Sequence, residues 1–572
     1  MTASEAFVET LASHKVTDTF GIVGSAFMDP LHSFGTAGIR FISVQHEQNA
    51  AHMADGYARV SGKHGVCIGQ NGPGVTNFMN GIATAFWAHS PVVAITPQTA
   101  TTAVGLGGFQ EVDQLPLFGP ITKYQGHVHH PSRIADITDY AFYRALVDRG
   151  PTQINIPRDF FSYVEDFTLP VRKTIHSPET SSDVIAKIIN KLNNSCSPVI
   201  LAGGGVVSSN SKIILEEFAD KKNIPVATTY LHNDAFNCEN NLYLGPIGYN
   251  GSQRAMDALE NSDFILALGT RLGPFGTLPQ YGKDYWPKNA FVVQVDVNPQ
   301  VLGLSKKSDM IVHSDAHNFI LELLAKTSCE PLTSTPATAN AQHYINYDNS
   351  TYTDCAHPRN ILKALSECIP SNAMVSTDVG NVCALANHYL HFGNEGNFLA
   401  PLSYGSCGSA LPTIMGAKVA APDRPALAFV GDGAWGMSMN ETLTCIREKI
   451  PVTVVVFNNR QWGAEKKNQV LWFNNRYVGT NLKNPSFANV AKSMGADGIR
   501  ITSENEVKEA MEEALHNQTQ GVTTVIEVML SRWLGEPFRR DAMKPPRRYL
   551  PKYLDDNVEN ESENDQPMDM IP

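Results

Sequence analysis

A carboxylate and an amide in the C-terminal half of the chain stand where they could bind a metal ion. Residues 429–437 read FVGDGAWGM, so Asp432 lies between two glycines directly after an apolar run. Asn459 lies 27 residues further on and ends a second apolar run, PVTVVVFNN. If the two runs are parallel strands joined by one crossover helix, their carboxyl ends meet at one edge of a sheet, where ligands of α/β proteins bind. These side chains, with a backbone carbonyl nearby, would form a hard oxygen site suited to Mg²⁺. Two unrelated polar turns are the alternative, and the spacing makes them the weaker interpretation.

The N-terminal region offers a second residue for chemistry, Glu47. It lies in the stretch VQHEQNAAHMADGYARVSG, residues 44–62. Taken alone, a glutamate at the start of a helix is explained by the positive end of the helix dipole. Together with GDG and the downstream Asn-Asn, however, residues 46–59 resemble the pattern HE-x-x-A-x-x-MA-x-GYAR of the thiamine-diphosphate enzymes.

The resemblance implies a role for each of these residues. In such enzymes the glutamate, here Glu47, hydrogen-bonds the aminopyrimidine of thiamine diphosphate and favours loss of the thiazolium C2 proton, so that base catalysis passes through the cofactor. The resemblance also implies that Mg²⁺ is bound by the side chains of Asp432 and Asn459 and by the backbone carbonyl of Gln461. The further positions implied to contact the cofactor are Gly24, Ser25, Asn381, Ser406, Cys407, Gly408, Gly433 and Ala434.

Further segments match the family in its own order along the chain. They are QNGPGVTN (70–77), GGFQEVDQ (107–114), STDVGN (376–381) and SYGSCGSALPTIMGA (403–417). In the last of these, the family usually has a bulky apolar residue that wedges the cofactor into its bent shape. This chain has Cys407 there, a smaller polarisable thiol that can still pack. The departure indicates a subfamily.

Several segments depart from the acetolactate-synthase type and resemble the branch that acts on sulfoacetaldehyde, with phosphate as the acetyl acceptor, in taurine and sulfonate catabolism. They are IGQNGPGVT, GGFQEVDQ, PTQINIPRDF, CGSALPT, NNRQWGAEKKNQV and EPFRRDAMKPP. The resemblance implies that sulfite leaves and that acetyl phosphate forms through an acetyl-thiamine-diphosphate intermediate.

Both of these substrates are anions, so they need a desolvated basic pocket. The candidates are Arg539 and Arg540, then Lys466 and Lys467, for the anionic groups, with Asn71 and Gln110 for the aldehyde oxygen. For any one of the four basic residues, a solvated surface patch is an equally good explanation.

Three other functions stay open at this point. An acetolactate synthase or another 2-oxo-acid-decarboxylating enzyme would use the same scaffold. A Rossmann-type oxidoreductase would use LAGGGVV (201–207), which lacks a GxGxxG fingerprint. An inactive regulatory homologue is opposed by the intact Glu47, Asp432 and Asn459. Some members of the family place FAD in the central domain, but we expect none here.

The elements that position these residues read as α/β with parallel sheets, because apolar β-type runs alternate with helical stretches. The resemblance orders them as three parallel-sheet α/β domains, which are pyrimidine-binding (1–166), central (184–328) and diphosphate-binding (355–540). Four strands are predicted in each. The N-terminal runs are TDTFGIVG, GVCIGQNGPGV with its Gly loop, PVVAIT and PTQINIP; the central runs are SPVILAGGGV, IPVATTY, DFILALGTRLG and AFVVQVDVN; the C-terminal runs are AMVSTDVGN, PALAFVGDG, PVTVVVFNN and TTVIEVML. The acidic tail, 541–572, is expected to be partly disordered.

Composition restricts the partners. A net charge of −12 argues against nucleic acid, and no apolar run approaches the roughly 18–20 residues that span a bilayer. Nine dispersed cysteines without a CxxC pair fit reduced thiols in the cytoplasm. The resemblance adds a homodimer with active sites between its subunits, commonly paired into a homotetramer.

Overall fold

Three six-stranded sheets form the framework of the protein. The computed structural model describes residues 1–171, 173–328, 332, 355–401, 404–535 and 546–556. Every pairing between neighbouring strands of the three sheets is parallel. The prediction of an α/β fold with three parallel-sheet domains is therefore confirmed.

The N-terminal domain holds the segment that contains Glu47. Its strands are β1 (Asp18–Gly21), β2 (Arg40–Ser43), β3 (Gly65–Ile68), β4 (Val92–Gln98), β5 (Tyr124–His127) and β6 (Thr152–Pro157). Its helices are α1 (Ala3–Ser13), α2 (Met28–Phe34), α3 (Glu47–Ser61), α4 (Pro73–Asn77), α5 (Met79–Ala88), α6 (Leu115–Phe118) and α7 (Ile134–Val147). The strand order is β2-β1-β3-β4-β6-β5.

The central domain has the strand order of a doubly wound dinucleotide-binding sheet. Its strands are β7 (Pro198–Ala202), β8 (Val226–Thr228), β9 (Tyr243–Pro246), β10 (Phe264–Leu268), β11 (Phe291–Asp296) and β12 (Met310–His313). Its helices are α8 (Ser182–Asn193), α9 (Gly204–Ser208), α10 (Lys212–Lys222), α11 (Gln253–Glu260) and α12 (Ala316–Lys326). The order β12-β11-β10-β7-β8-β9 places the topological switch between β7 and β10.

The C-terminal domain holds the GDG segment. Its strands are β13 (Met374–Thr377), β14 (Asn397–Leu399), β15 (Ala426–Gly431), β16 (Thr453–Asn458), β17 (Asp497–Ile501) and β18 (Thr524–Met529). Its helices are α13 (Pro358–Cys368), α14 (Asn381–Tyr389), α15 (Ala410–Ala420), α16 (Asp432–Ser438), α17 (Thr442–Arg447), α18 (Gly463–Trp472), α19 (Phe487–Met494) and α20 (Val507–Thr519). The order β14-β13-β15-β16-β18-β17 repeats that of the N-terminal sheet strand for strand.

Each sheet has two strands more than the sequence predicted. The additional strands are β2 and β5, β9 and β12, and β14 and β17, and in every sheet they are the two edge strands. The four inner strands of each sheet coincide with the four predicted runs. The predicted acidic tail is described only over residues 546–556, where a 3-10 turn spans Pro551–Asp556. Its expected disorder stays a prediction.

Helices α3 and α15 join the N-terminal and C-terminal domains within the chain. A Cβ on Gly56 would lie 1.9 Å from the Thr413 carbonyl oxygen, and one on Gly416 would lie 1.9 Å from the Met53 carbonyl oxygen. The two helix backbones are therefore in direct contact, which only glycine permits at these two positions.

The connection between β15 and β16 differs from the single crossover helix that the sequence predicted. It consists of α16, a 3-10 turn at Met439–Glu441 and α17. Ser438, at the end of α16, leaves the helical region with φ −133° and ψ 2°. The break turns the buried side chain of Glu441 toward the N-terminal domain.

Candidate active site

Asp432 and the Asn458–Asn459 pair lie at the ends of neighbouring parallel strands. Gly431 on β15 pairs with Phe457 on β16, so the residues that follow the two strands share one edge of the sheet. Asp432 is the first residue of α16 and only 3% exposed. The Asn484 amide donates to Asp432 Oδ2 over 2.8 Å and to Asn458 Oδ1 over 3.3 Å.

The electrostatic environment of Asp432 suits a divalent cation. Burial raises the pKa of this carboxyl to about 6, and neutral hydrogen-bond donors oppose that rise. The donors are the Asn484 amide and the backbone N–H groups of Gly433, Arg460 and Gln461. No Lys or Arg side chain of the described residues pairs with Asp432, so a bound cation would neutralise a buried negative charge.

Gln461, another predicted metal ligand, lies beside Asp432, because its backbone N–H donates to the Asp432 carboxylate. The Leu482 N–H donates to the Arg460 carbonyl, and the Trp462 N–H donates to the Thr480 carbonyl. Gln461 lies between these two bonds, opposite Asn481, and its carbonyl takes part in neither. A Cβ on Gly463 would lie 3.3 Å from Asn459 Nδ2 and 3.1 Å from Asn381 Nδ2, so both amides face this glycine. Among the described residues, no group of three or more His, Cys, Asp or Glu side chains could hold a metal.

Asp378 fixes the loop with Cys407, which packs against α16. The carboxylate of Asp378 accepts from the backbone N–H groups of Gly408 and Ala410, each over 3.0 Å. Gly408 has φ +80°, and a Cβ there would lie 2.8 Å from Met437 Cβ. The predicted contacts Ser406, Cys407 and Gly408 are thus brought to the same helix as Gly433 and Ala434.

Two side chains of this loop have distinct environments. The buried hydroxyl of Ser406 has no hydrogen-bond partner among the described residues. Burial, with smaller effects from Asp378 and Glu465, raises the pKa of the Cys407 thiol to about 11. The thiol is therefore protonated near neutral pH.

A second cluster gathers around Glu47 at the edge of the N-terminal sheet. Glu47 is the first residue of α3, and its Oε2 accepts from the Asn77 amide over 2.9 Å. A Cβ on Gly74 would lie 3.1 Å from Glu47 Oε1, so glycine keeps the space beside that oxygen open. A Cβ on Gly74 would also lie 3.3 Å from Gln70 Cβ, which places Gln70 in the same cluster.

Gln70 connects the other predicted residues of this cluster. Its Oε1 accepts from Ala26 N–H over 2.9 Å beside Gly24 and Ser25. Its amide donates to Asn71 Oδ1 over 2.7 Å and to Gln110 Oε1 over 2.8 Å. The Asn71 amide in turn donates to the Gln110 carbonyl over 3.0 Å. The structure thus brings Gly24, Ser25, Asn71 and Gln110 together with Glu47.

Comparison with known proteins identifies this architecture. Three models of thiamine pyrophosphate enzymes match the chain: the N-terminal TPP binding domain over residues 1–117, the central domain over 185–323 and the C-terminal TPP binding domain over 378–528. The chain belongs to the thiamine pyrophosphate enzyme family. The family resemblance seen in the sequence is confirmed, and the matched domains support thiamine diphosphate as the cofactor.

Curated relatives of this thiamine pyrophosphate enzyme span nearly its whole length. Sulfoacetaldehyde acetyltransferase from Alcaligenes xylosoxydans xylosoxydans is 48% identical, and each chain is covered to 97%. The sulfoacetaldehyde acetyltransferase from Castellaniella defragrans is 47% identical, again with 97% of each chain covered. The acetolactate synthase large subunit of Corynebacterium glutamicum is more distant, at 30% identity over 90% of this chain and 84% of its own.

The basic residues predicted to bind anions lie in different places. Lys466 on α18 is 4% exposed, and its ammonium donates to Gln461 Oε1 and Asn481 Oδ1, each over 3.1 Å. Burial and, to a smaller degree, Arg532 lower the pKa of Lys466. Lys467 follows on the same helix. Arg539 and Arg540 lie outside the described residues.

The central domain of this thiamine pyrophosphate enzyme opens onto a cavity of about 860 Å³. Its walls include Gly204 and Gly205 at the start of α9, Asp296 at the end of β11, and Arg424 from the C-terminal domain. Arg271 lies over the Trp87 ring at 4.7 Å from the ring centroid. LAGGGVV therefore borders a real cavity, and the expectation that it holds no FAD stays a prediction.

The sequence missed several side chains that organise the site. They are Gln70, Asn77, Asp378, Trp462 and Asn484. Asp378 had a signal of its own, because it follows the buried strand β13 as Asp432 follows β15. Trp462 contacts Gly433, where a Cβ would lie 2.6 Å from its ring. Across the described residues, no helix is long and apolar enough to cross a membrane.

Proposed function

We propose that this chain is a thiamine-diphosphate-dependent acyltransferase that converts sulfoacetaldehyde and phosphate to acetyl phosphate and sulfite. The observation that carries the proposal is the pattern of similarity. Relatives named sulfoacetaldehyde acetyltransferase are 47–48% identical over almost the entire chain, whereas a relative named acetolactate synthase is 30% identical. An acetolactate synthase is the second candidate, because it shares the same scaffold.

The residues fit thiamine diphosphate and Mg²⁺. Asp432, Asn459 and the Gln461 carbonyl would hold the metal, and the cation would offset the buried Asp432 charge. The diphosphate would lie against the main chain of Gly433 and Ala434, with the Ser406 hydroxyl as a further donor. When bound, the cofactor supplies a carbon nucleophile and an electron sink.

Glu47 would hold the proton that the aminopyrimidine requires. The Asn77 amide fixes its Oε2, and Oε1 faces the space that Gly74 leaves open. A carboxylate held by one oxygen keeps the other available in a defined direction, which is what proton transfer needs. Asn71 and Gln110 would orient the aldehyde, because both side-chain amides accept from Gln70 and the Asn71 amide also donates to the Gln110 main-chain carbonyl.

Lys466 is the best-supported candidate for binding an anion. Its ammonium has three N–H groups, and two of them point at the neutral oxygens of Gln461 and Asn481. No carboxylate pairs with it among the described residues, so a buried positive charge remains for a sulfonate or a phosphate. Gln461 connects this charge to the metal site. Arg539 and Arg540 remain part of the proposal.

We also propose a homodimer, paired into a homotetramer in the cytoplasm, with active sites between subunits. Within the described part of the chain, Glu47 and Gln70 hydrogen-bond to the N-terminal domain, and the bonds from Glu441 of the C-terminal domain go to Gln45, His46 and Asn49. The loop with Gln110 exposes apolar side chains, with Leu106 78% and Phe109 81% accessible. A second copy of the chain would cover them and would complete the site.

The two candidate functions release different products. A sulfoacetaldehyde acetyltransferase releases sulfite from sulfoacetaldehyde, and an acetolactate synthase releases carbon dioxide from pyruvate. The purified enzyme with thiamine diphosphate and Mg²⁺ is incubated with sulfoacetaldehyde plus phosphate, and separately with pyruvate. We expect sulfite from the first mixture and no carbon dioxide from the second. Carbon dioxide from pyruvate without sulfite from sulfoacetaldehyde would establish the acetolactate-synthase type instead.

A further inference from the structure

Glu441 lies at the contact between the C-terminal domain and the start of α3. Its side chain is fully buried, with 0% exposure. Oε1 accepts from the backbone N–H groups of Gln45 and His46 over 3.0 and 3.1 Å, and from the Asn49 amide over 2.8 Å. Oε2 accepts from the Thr444 hydroxyl over 2.7 Å. The carboxylate therefore binds three donors of the N-terminal domain from a position 392–396 residues away.

These donors surround Glu47 in the sequence. Gln45 and His46 precede it, and Asn49 follows it in the first turn of α3. The first turn of a helix has N–H groups without partners and the positive end of the dipole, so a buried carboxylate is stabilised there. Arg447 on α17 adds a second link, since its guanidinium donates to the Ser43 carbonyl at the end of β2. The C-terminal domain therefore binds the chain on both sides of Glu47: residues 43, 45 and 46 before it and Asn49 after it.

The segment that carries Glu441 also carries the predicted metal ligand. Asp432 begins α16, and Glu441 ends the 3-10 turn nine residues later. The break in the crossover between β15 and β16 is what directs Glu441 away from its own sheet. The segment 432–441 therefore begins with a predicted cofactor contact, Asp432, and ends with Glu441, which hydrogen-bonds to the start of α3.

We propose that Glu441 is a positioning residue for Glu47: it fixes the backbone around Glu47 and couples that position to the segment that begins with Asp432. The inference rests on the role of Glu47 in the proposed function. If the active sites lie between subunits, the segment 432–441 connects the metal of one site to the glutamate of the other. Glu441 itself does not touch the reacting atoms.

The test measures the exchange of the cofactor's thiazolium C2 proton for deuterium on the full-length enzyme loaded with thiamine diphosphate and Mg²⁺. This readout needs no sulfoacetaldehyde, so it stays valid if the proposed substrate is wrong. Glu441→Gln replaces an acceptor oxygen with a donor that faces N–H or O–H groups. We expect exchange to slow by about 10- to 100-fold, because a misplacement of about 1 Å at a catalytic group costs this much.

A double-mutant cycle separates positioning from a purely structural contact. In Glu47→Gln enzyme, Glu441→Gln should slow exchange no further, since the residue through which it acts is already disabled. Thr444→Val is the matched control, because it removes a bond to the same carboxylate but not to α3. Its exchange rate should stay within about twofold of the wild type.

Four outcomes would overturn the inference. The first is a folded Glu441→Gln enzyme that exchanges the C2 proton at the wild-type rate. The second is that Glu441→Gln slows exchange equally in the wild-type and Glu47→Gln enzymes. The third is that Thr444→Val slows exchange as much as Glu441→Gln does. Normal exchange in Glu47→Gln would remove the proposed role of Glu47 and the inference with it, which distinguishes the two failures. Should Glu441→Gln not fold, Glu441→Asp keeps the charge at a shorter reach and is judged by the same criteria.

Discussion

Replacement of Lys466 by methionine tests whether its buried charge binds a substrate anion. Methionine keeps most of the length of the side chain but removes the ammonium. The side chain is 4% exposed, two of its three N–H groups are bound to amide oxygens, and the ammonium lies 4.6 Å from the centroid of the Tyr477 ring. A substrate anion would therefore bind the third N–H beside that ring. A hydrogen bond between charged groups contributes about 1.5–3 kcal/mol, so kcat/KM should fall by about 10- to 150-fold.

The assay is sulfite release, with sulfoacetaldehyde and phosphate varied in turn. We expect the loss in kcat/KM for one of these anions to exceed the loss for the other, which would show whether the ammonium binds the sulfonate or the phosphate. Lys466→Arg should retain part of the activity, because it keeps the charge. Lys492→Met is the control, since that lysine is exposed on α19, 31 residues after Gln461, the nearest predicted metal ligand in the sequence. A Lys466→Met enzyme with unchanged kcat/KM for both anions would refute the reasoning.

Three further predictions concern stability and reactivity. Burial raises the pKa of Asp378 to about 6, above the value of about 3.9 for an aspartate in the unfolded chain. The protonated carboxyl therefore contributes its full stabilisation below about pH 3.9, and this contribution to the free energy of unfolding is lost as the pH rises through about 6. The Tm of Asp378→Asn should therefore rise relative to the wild type between pH 5 and pH 7.5, and a constant difference would contradict this sign. Gly416→Ala should destabilise the protein by about 1–3 kcal/mol, because its Cβ would overlap a carbonyl of α3. Gly35→Ala, which has open space around it, is the control in thermal melts, and equal Tm values would count against the close helix contact. The Cys407 thiol, with a pKa of about 11, should react with iodoacetamide more slowly at pH 7.5 than the exposed Cys196; mass spectrometry of the labelled peptides would reveal the opposite order.

The inner strands of the three sheets were predictable from the sequence, because both faces of these strands are covered. The inner strands of a parallel sheet are buried continuous apolar runs, and β15 and β16 have this form, with ALAFVG and TVVVFN almost wholly buried. The edge strands β2 and β12, with the sequences RFIS and MIVH, are short and only partly buried. Their sequences lack the run that marks a strand, so only the assembled sheet identifies them.

The candidate site was predictable where a residue's role depends on its neighbours in sequence. Asp432 and Asn459 were located from strand ends, and Glu47 from its motif. Residues such as Gln70 and Asn484 could not be located in this way, because their importance comes from partners that the fold supplies. Glu441 is the clearest case, since its partners lie in another domain and the sequence around it predicts an unbroken helix.

The stoichiometry of the products tests the central claim most directly. Enzyme with thiamine diphosphate and Mg²⁺ is given sulfoacetaldehyde and excess phosphate, and sulfite and acetyl phosphate are quantified together, with Glu47→Gln as the inactive reference. We predict that the two products appear in equal amounts and that neither forms without the cofactor or with Glu47→Gln. Sulfite formed without acetyl phosphate, or acetyl phosphate formed without sulfite, would contradict the proposed acetyl transfer.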